Sequence, residues 1–312
     1  MNRTVTLGLV QHACTPDPAS NLKKTIDGVR AAAQQGARLV LLQELHATHY
    51  FCQQESAENF KYAESIPGPS SDQLAHLAAE LDIVIVASIF ERRAAGIYHN
   101  TAVVLDGQHG IVGTYRKMHI PDDPDYYEKY YFTPGDYEAG RQGFEPVDTS
   151  VGRLGILVCW DQWFPEAARL MALAGAELLL FPTAIGWDKQ DDETEQNRQR
   201  DAWITVQRAH AIANGLPVAA CNRNGFEPIE PQGSAQTTDN GSALQDKGIA
   251  FWGSSFIAGP QGEILAQAAT NKEAVILATL DLTHNEKVRQ AWPYLRDRRI
   301  DAYPELLKRY RS

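Results

Sequence analysis

Cys159 closes a short apolar run, Leu154-Gly-Ile-Leu-Val158, and is followed by Trp160-Asp-Gln-Trp-Phe-Pro165. The run has room for one buried strand, and Pro165 stands where a first-turn proline opens a helix that Gly175 would end. A thiol placed between a strand's carboxyl end and a helix amino terminus lies where α/β sheets bind ligands and where a thiolate can be stabilised. Cysteine is also among the most buried residue types, so this stretch alone leaves nucleophile and core packing both open. Two further groups follow apolar runs: Glu44 after Leu39-Val-Leu-Leu42, and Lys117 after Ile111 to Arg116. A carboxylate can accept the thiol proton, an ammonium can hold a developing oxyanion, and the thiol can attack. Glu128, in Glu128-Lys-Tyr-Tyr-Phe-Thr-Pro-Gly-Asp136, is a second carboxylate candidate. Taken singly, each charged residue reads better without chemistry: Glu44 as a helix cap, Lys117 as a surface charge and Glu128 as a partner for a nearby lysine.

The elements that must position these groups alternate between helix and strand. Thr4 to Gln11 reads as a strand, and Ser20 as the cap of an amphipathic helix carrying Leu22, Ile26, Val29 and Ala33. Leu39 to Leu42 is a buried strand, and a helix follows from Ser71 with Leu74, Leu77, Ala78 and Leu81 inward. Ile83 to Phe90, Tyr98 to Leu105 and Ile111 to Arg116 are three strands in quick succession. Leu178 to Phe181 is a strand stopped by Pro182. The polar stretch Asp188 to Arg200, read as a lid or as plain surface, leads into a helix from about Trp203 to Ala213. Pro217 to Cys221 is a strand, Asn222 to Gly225 a turn, and Glu227 to Asp246 a polar loop. Ser254 to Ala258 and Glu263 to Ala266 form a hairpin around Gly259-Pro-Gln-Gly262, and Ala274 to Asp281 is the last strand. Strands joined both by helices and by hairpins predict mixed sheets in an α/β fold, and no linker divides the chain.

Composition removes several function classes. The net charge of −10 offers no basic face for nucleic acid. No uninterrupted apolar run reaches the length of a membrane span, and the first residues alternate like a strand rather than a signal peptide. Four cysteines without a CxxC pair suit free thiols in a reducing, cytoplasmic compartment, and no spacing matches a metal-ligand set. Cys14 and Cys221 read as packed in strands, Cys52 as a loop residue, and His119 as structural. His46, His49 and His210 form no recognisable protease triad.

Taken together, four blocks in order resemble the nitrilase superfamily of carbon–nitrogen hydrolases: Leu41-Leu-Gln-Glu44-Leu45, Tyr115-Arg-Lys117-Met-His-Ile-Pro121, the Glu128 to Asp136 segment, and Gly155-Ile-Leu-Val-Cys159-Trp-Asp-Gln-Trp-Phe-Pro-Glu166. The likeness extends from the first strand to Tyr294-Leu-Arg-Asp-Arg-Arg299. It is nearest to the branch of N-carbamoylputrescine amidohydrolases, through Cys159 to Glu166, His119-Ile-Pro-Asp122 and Phe181-Pro-Thr-Ala-Ile-Gly-Trp187. The resemblance implies a four-layer α-β-β-α sandwich with two mixed sheets, forming one domain over 1–312. It also implies a homodimer or larger homo-oligomer, with the tail from about 283 to 312 at its interface. Glu44 would be the general base, Lys117 the oxyanion stabiliser and Cys159 the nucleophile. The Trp160 N–H would complete the oxyanion hole, and Glu128 would be an auxiliary carboxylate; no cofactor or metal is implied.

Within that frame the reaction is hydrolysis of N-carbamoylputrescine to putrescine, ammonia and carbon dioxide. The segment after Cys159 has no arginine or lysine before Arg169, whereas Asp161 and the cluster Asp122, Asp123 and Asp125 are acidic. These residues favour a small cationic substrate, with Trp160, Trp163 and Trp187 flanking its methylenes. Asp161 and Trp187 lead this set. The alternatives are another amidase of the superfamily, acting on an aliphatic amide, nitrile or N-carbamoyl amino acid, and a catalytically silent oligomeric scaffold.

Overall fold

The structure is a computed structural model that describes residues 3–137, 143–188, 190–229 and 247–311. In chain order the first half gives β1 (Thr4–Gln11), α1 (Pro18–Gln34), β2 (Leu39–Leu42), α2 (Pro69–Leu81), β3 (Val84–Ala94), β4 (Ile97–Asp106), β5 (Gly110–Arg116) and α3 (Glu128–Tyr131). Next come β6 (Val147–Thr149), β7 (Gly152–Ile156), α4 (Pro165–Leu173), β8 (Leu178–Thr183), β9 (Gly186–Asp188) and α5 (Glu193–Asn214). The remainder is β10 (Val218–Asn222), β11 (Asn224–Pro228), β12 (Gly248–Trp252), β13 (Phe256–Ala258), β14 (Ile264–Gln267), β15 (Ala274–Asp281) and α6 (His284–Ala291).

Two six-stranded sheets result, ordered β15-β1-β2-β3-β4-β5 and β14-β13-β10-β8-β7-β6. Both are mixed: β1, β2 and β3 run parallel, as do β7, β8 and β10, while the remaining pairs are antiparallel, β3-β4-β5, β6-β7 and β13-β14 as hairpins and β1-β15 and β10-β13 between strands distant in sequence. Alternation along the first sheet sorts its side chains cleanly. Leu7, Leu9, Leu39, Leu41, Val84, Val86, Ala102 and Val104 face the second sheet in one core. Val10, Val40, Leu42, Ile85, Val103 and Leu105 face α1 and α2 in another. Helices α4 and α5 cover the far side of the second sheet through Ala167, Met171, Trp203 and Ala211. The layers are therefore α-β-β-α. No described helix is long and apolar enough to cross a membrane.

Several boundaries differ from the sequence reading. Asp17 caps α1, accepting from the N–H groups of Ala19 and Ser20, and the Ser20 hydroxyl donates to the same carboxylate. The helix consequently turns Asn21, Thr25, Val29 and Ala32 fully inward, with Leu22 and Ile26 only half-buried. Helix α2 starts two residues before Ser71, at Pro69. Helix α5 starts ten residues before Trp203, at Glu193 under an Asp192 cap, because its first turns are solvated and carry no apolar stripe to read. Pro182 does not stop β8. The N–H of Leu179 points to β10, so alternation directs the missing N–H of Pro182 toward β7, which has already ended at Ile156. A third sheet, β11-β12-β9, replaces the expected turn at Asn222 to Gly225. Residues 230–246 of the expected polar loop, and Lys189 of the polar stretch before α5, lie outside the described residues. Cys14 lies beyond the end of β1, and Cys52 is wholly buried in a 3₁₀ turn (Phe51–Gln53) within an aromatic cluster around Tyr50, Phe90 and Tyr131.

Candidate active site

Sheet packing brings the three strand-end groups together. Glu44 follows β2, and its N–H donates to the carbonyl of Thr183 at the end of β8, 3.2 Å away, tying one sheet to the other. Lys117 follows β5, with its N–H donating to Asn100 O on β4 at 2.9 Å. Its Nζ donates to Glu44 Oε1 at 2.9 Å and to Glu128 Oε2 at 2.7 Å. The lysine and Glu44 are 0% exposed and Glu128 is 1% exposed, so this is a desolvated carboxylate–ammonium–carboxylate group. Each carboxylate has a second tether: Asn100 Nδ2 donates to Glu44 Oε1 at 2.6 Å, and the Tyr50 hydroxyl donates to Glu128 Oε1 at 2.8 Å. Among the described residues Glu44 Oε2 has no hydrogen-bond partner. That leaves one carboxylate oxygen unengaged and able to accept a proton.

Cys159 lies three residues past the end of β7, in a left-handed conformation with φ 44° that opens the 3₁₀ turn Cys159–Trp163. A non-glycine residue is strained there, as is common where a side chain must be aimed at a site. The Sγ lies 3.7 Å from Ala184 O. Burial, then the nearby Glu44 carboxylate, push the thiol well above its ordinary pKa, so the resting sulfur is protonated and attack requires a base. Burial alone would strip Lys117 of its charge, yet Glu128 and Glu44 outweigh it and hold the ammonium well above its usual range. Two carboxylates share that single cation, so the burial of Glu128 is only partly compensated and its pKa is raised.

The thiol opens into a chamber of about 410 Å³ whose walls include Trp160, Trp163, Tyr126, Trp252 and Glu128, with exposed Asp123 also lining it. No arginine or lysine lines it among the described residues. Of the residues read as holding a cationic tail, Trp160 and Trp163 line the chamber, and so does Asp123 of the acidic cluster. The others do not. Asp161 is 0% exposed and saturated by protein donors: Oδ2 accepts from Tyr115 Oη and Val158 N, and Oδ1 from His119 N, with His119 Nδ1 2.7 Å away. It braces the nucleophile turn from behind. The imidazole of His119 stacks on Phe164, with centroids 3.8 Å apart. Trp187 donates its Nε1–H to Gln196 O and packs behind Trp252, 5.5 Å between rings. Asp122 points outward toward Lys129, 3.9 Å away. Asp125, in a left-handed turn, lies off the wall, its carboxyl pKa raised by burial and by Asp188. Trp252 and Gln199 line the chamber without any local motif to mark them, whereas Tyr126 and Tyr50 sit close to the blocks that carry the chemistry.

Comparison with known proteins agrees with this geometry. Residues 6–290 match the carbon-nitrogen hydrolase family. The chain is 45% identical to an N-carbamoylputrescine amidase of Solanum lycopersicum, covering 98% of this chain and 96% of that one. It is 37% identical to a citrullinase of Francisella tularensis over 98% and 99% of the two chains. The crystal structure of a carbon-nitrogen hydrolase from Helicobacter pylori G27 superposes with a TM-score of 0.90 at 47% identity, covering 99% of this chain and all of that one. By its full-length match, its two mixed sheets and its glutamate–lysine–cysteine arrangement, the chain belongs to the carbon–nitrogen hydrolase family of the nitrilase superfamily.

Proposed function

We propose that this enzyme hydrolyses N-carbamoylputrescine to putrescine, ammonia and carbon dioxide, using Cys159 as nucleophile. The observation that carries this reading is a buried ammonium held between two carboxylates beside a protonated thiol, in an aromatic chamber with no lining cation among the described residues. Glu44 Oε2 takes the thiol proton as Sγ attacks the carbamoyl carbon. Lys117 has three N–H donors and spends two on Glu44 and Glu128, so the third meets the developing oxyanion together with the Trp160 N–H. Collapse of the tetrahedral species passes the proton from Glu44 to departing ammonia and leaves a carbamoyl thioester. Water, deprotonated by Glu44, then adds to the carbonyl and releases the thiolate, which regains its proton. The carbamate so formed splits into putrescine and carbon dioxide. Glu128 keeps Lys117 in place throughout.

The tail ammonium is served by Asp123 of the chamber lining, and its methylenes by Trp160, Trp163 and Trp252. A carboxylate on the same tail, as in citrulline, meets no compensating cation among the described residues of the wall. The test is ammonia release from N-carbamoylputrescine, run beside citrulline, N-carbamoyl-β-alanine and a simple aliphatic amide. The expected result is a strong preference for the first; comparable or greater turnover of citrulline would overturn the assignment of the tail site.

Two further features belong to the same reading. The enzyme is a homodimer or larger, with exposed Trp292, Tyr294, Ile300 and Leu307 on its carboxyl-terminal segment available to a second copy. Its four cysteines, Cys14, Cys52, Cys159 and Cys221, are all unpaired, which suits the cytoplasm.

A further inference from the structure

We infer that Arg223, remote from the chamber wall, is a positioning residue that sets both carboxylates around Lys117 at once. It follows β10 and, among the described residues, is the larger of the two lysine or arginine side chains that are wholly buried, the other being Lys117. Its Nη2 donates to Glu44 O at 2.7 Å and Leu45 O at 3.0 Å, and its Nη1 donates to Thr48 O at 3.2 Å. These are carbonyls of the turn that starts at Glu44, and Leu45 within that turn has φ 48°, a strained value for leucine. Such a turn persists only where its surroundings over-determine it, and three guanidinium bonds to one short segment do that.

A second arm leaves the same guanidinium. Nη1 also donates to Glu227 Oε1 at 2.8 Å, and Glu227 Oε2 accepts from Tyr50 N at 2.6 Å. The hydroxyl of that tyrosine holds Glu128. The planar cation lies over the rings of Tyr50 and Phe251, 5.8 and 5.2 Å from their centroids, which fixes its own plane. One arm therefore ends on the backbone of Glu44, and the other on the side chain of Glu128. Lys117 Nζ is bonded to both ends. A lysine at 223 keeps the charge but presents its donors from a single nitrogen, and cannot span two carbonyls and a carboxylate in one plane.

This inference rests on the roles proposed above for Glu44 and Glu128, so its test includes a readout that needs no substrate. Arg223→Lys is compared with the unmodified enzyme in turnover of N-carbamoylputrescine and in the pH dependence of Cys159 alkylation by iodoacetamide. The expected result is a fall in kcat of about 10- to 100-fold with KM within about threefold, as a misplacement of roughly 1 Å produces. The alkylation profile is expected to move by about half a pH unit or more. Superimposable alkylation profiles with unchanged kcat would reduce Arg223 to a structural anchor and overturn the inference. Should Arg223→Lys not fold, Glu227→Gln cuts only the arm to Tyr50, and a kcat loss there smaller than about twofold overturns it equally. If the unmodified enzyme leaves N-carbamoylputrescine intact, the substrate assignment falls while the alkylation comparison still decides the role of Arg223.

Discussion

Replacing Lys117 with methionine tests the electrostatics of the site most directly. Methionine has nearly the length of the lysine stem and leaves little cavity, so the main change is loss of one charge. Both carboxylate oxygens lie within 3 Å of Nζ, so they are at most about 6 Å apart. Without the cation, two full charges at that separation repel by about 3 kcal/mol at an effective dielectric of about 20. That equals about two pKa units, which together with the burial of Glu128 keeps one carboxylate protonated at neutral pH. The sign follows from linkage: the folded variant holds a proton that the unfolded chain, with ordinary carboxylates near pH 4.5, has released. Its stability is therefore complete below about pH 4.5 and declines as pH rises through the raised folded value. At pH 7.5 the variant is expected to be about 3–5 kcal/mol less stable than the unmodified enzyme, and to recover part of this by pH 5.5. Turnover should fall by at least about 100-fold, since the proposed oxyanion donor has gone. Urea unfolding at the two pH values, beside steady-state rates, measures both quantities. A pH-independent stability difference, with more than about a tenth of kcat retained, would refute the picture of one ammonium serving two buried carboxylates.

Two other outcomes are expected. Asp161→Ala removes the acceptor that braces Tyr115, Val158 and His119, and should cost about 2–4 kcal/mol in urea unfolding while leaving KM for the cationic substrate within about threefold; a tenfold KM increase at full stability would return Asp161 to the substrate site. His12 and His46, joined through Thr25 Oγ1, are held near pKa values of about 4 and about 3, chiefly by burial, so each binds its proton less readily folded than unfolded. Their contribution is whole above pH 6.5 and is lost as pH falls toward those values: each should remove about 2 kcal/mol between pH 6.5 and about pH 5, and His46→Gln should flatten that slope.

Much of this architecture is legible in the chain because it is encoded locally. A four-residue apolar run buried on both faces, Leu39 to Leu42, announces a central parallel strand, and the polar residue after it falls at the sheet edge. The same logic locates Lys117 and Cys159, and a family likeness joins them. What escapes local reading depends on partners distant in sequence. Asp161 looks like an exposed turn aspartate until Tyr115 and His119 close over it. The strand Asn224–Pro228 contains glycine and proline and owes its conformation to pairing with Gly248–Trp252. Trp252, whose ring forms part of the substrate wall, has no neighbour in sequence to mark it. The polar start of α5 is a helix because Asp192 caps it, and a cap gives a weaker signal than a stripe.

The bond from the Glu44 amide to Thr183 O joins backbones that belong to different sheets, and the reacting groups divide along the same line. Glu44 and Lys117 come from the sheet of β2 and β5, whereas the Cys159 thiol and the carbonyl it approaches come from that of β7 and β8. On the proposed roles, neither half of the sandwich alone holds a complete site. The distance from Glu44 to Cys159 is consequently a measure of how the two sheets are seated on each other, fixed by close packing of Leu41, Val86, Ile156 and Leu180 several residues away. A slip of one sheet by a fraction of a side chain would leave every secondary-structure element intact and still part Glu44 from Cys159. On the proposed mechanism, the apolar filling between the sheets is thus as much a determinant of rate as the polar groups at its edge.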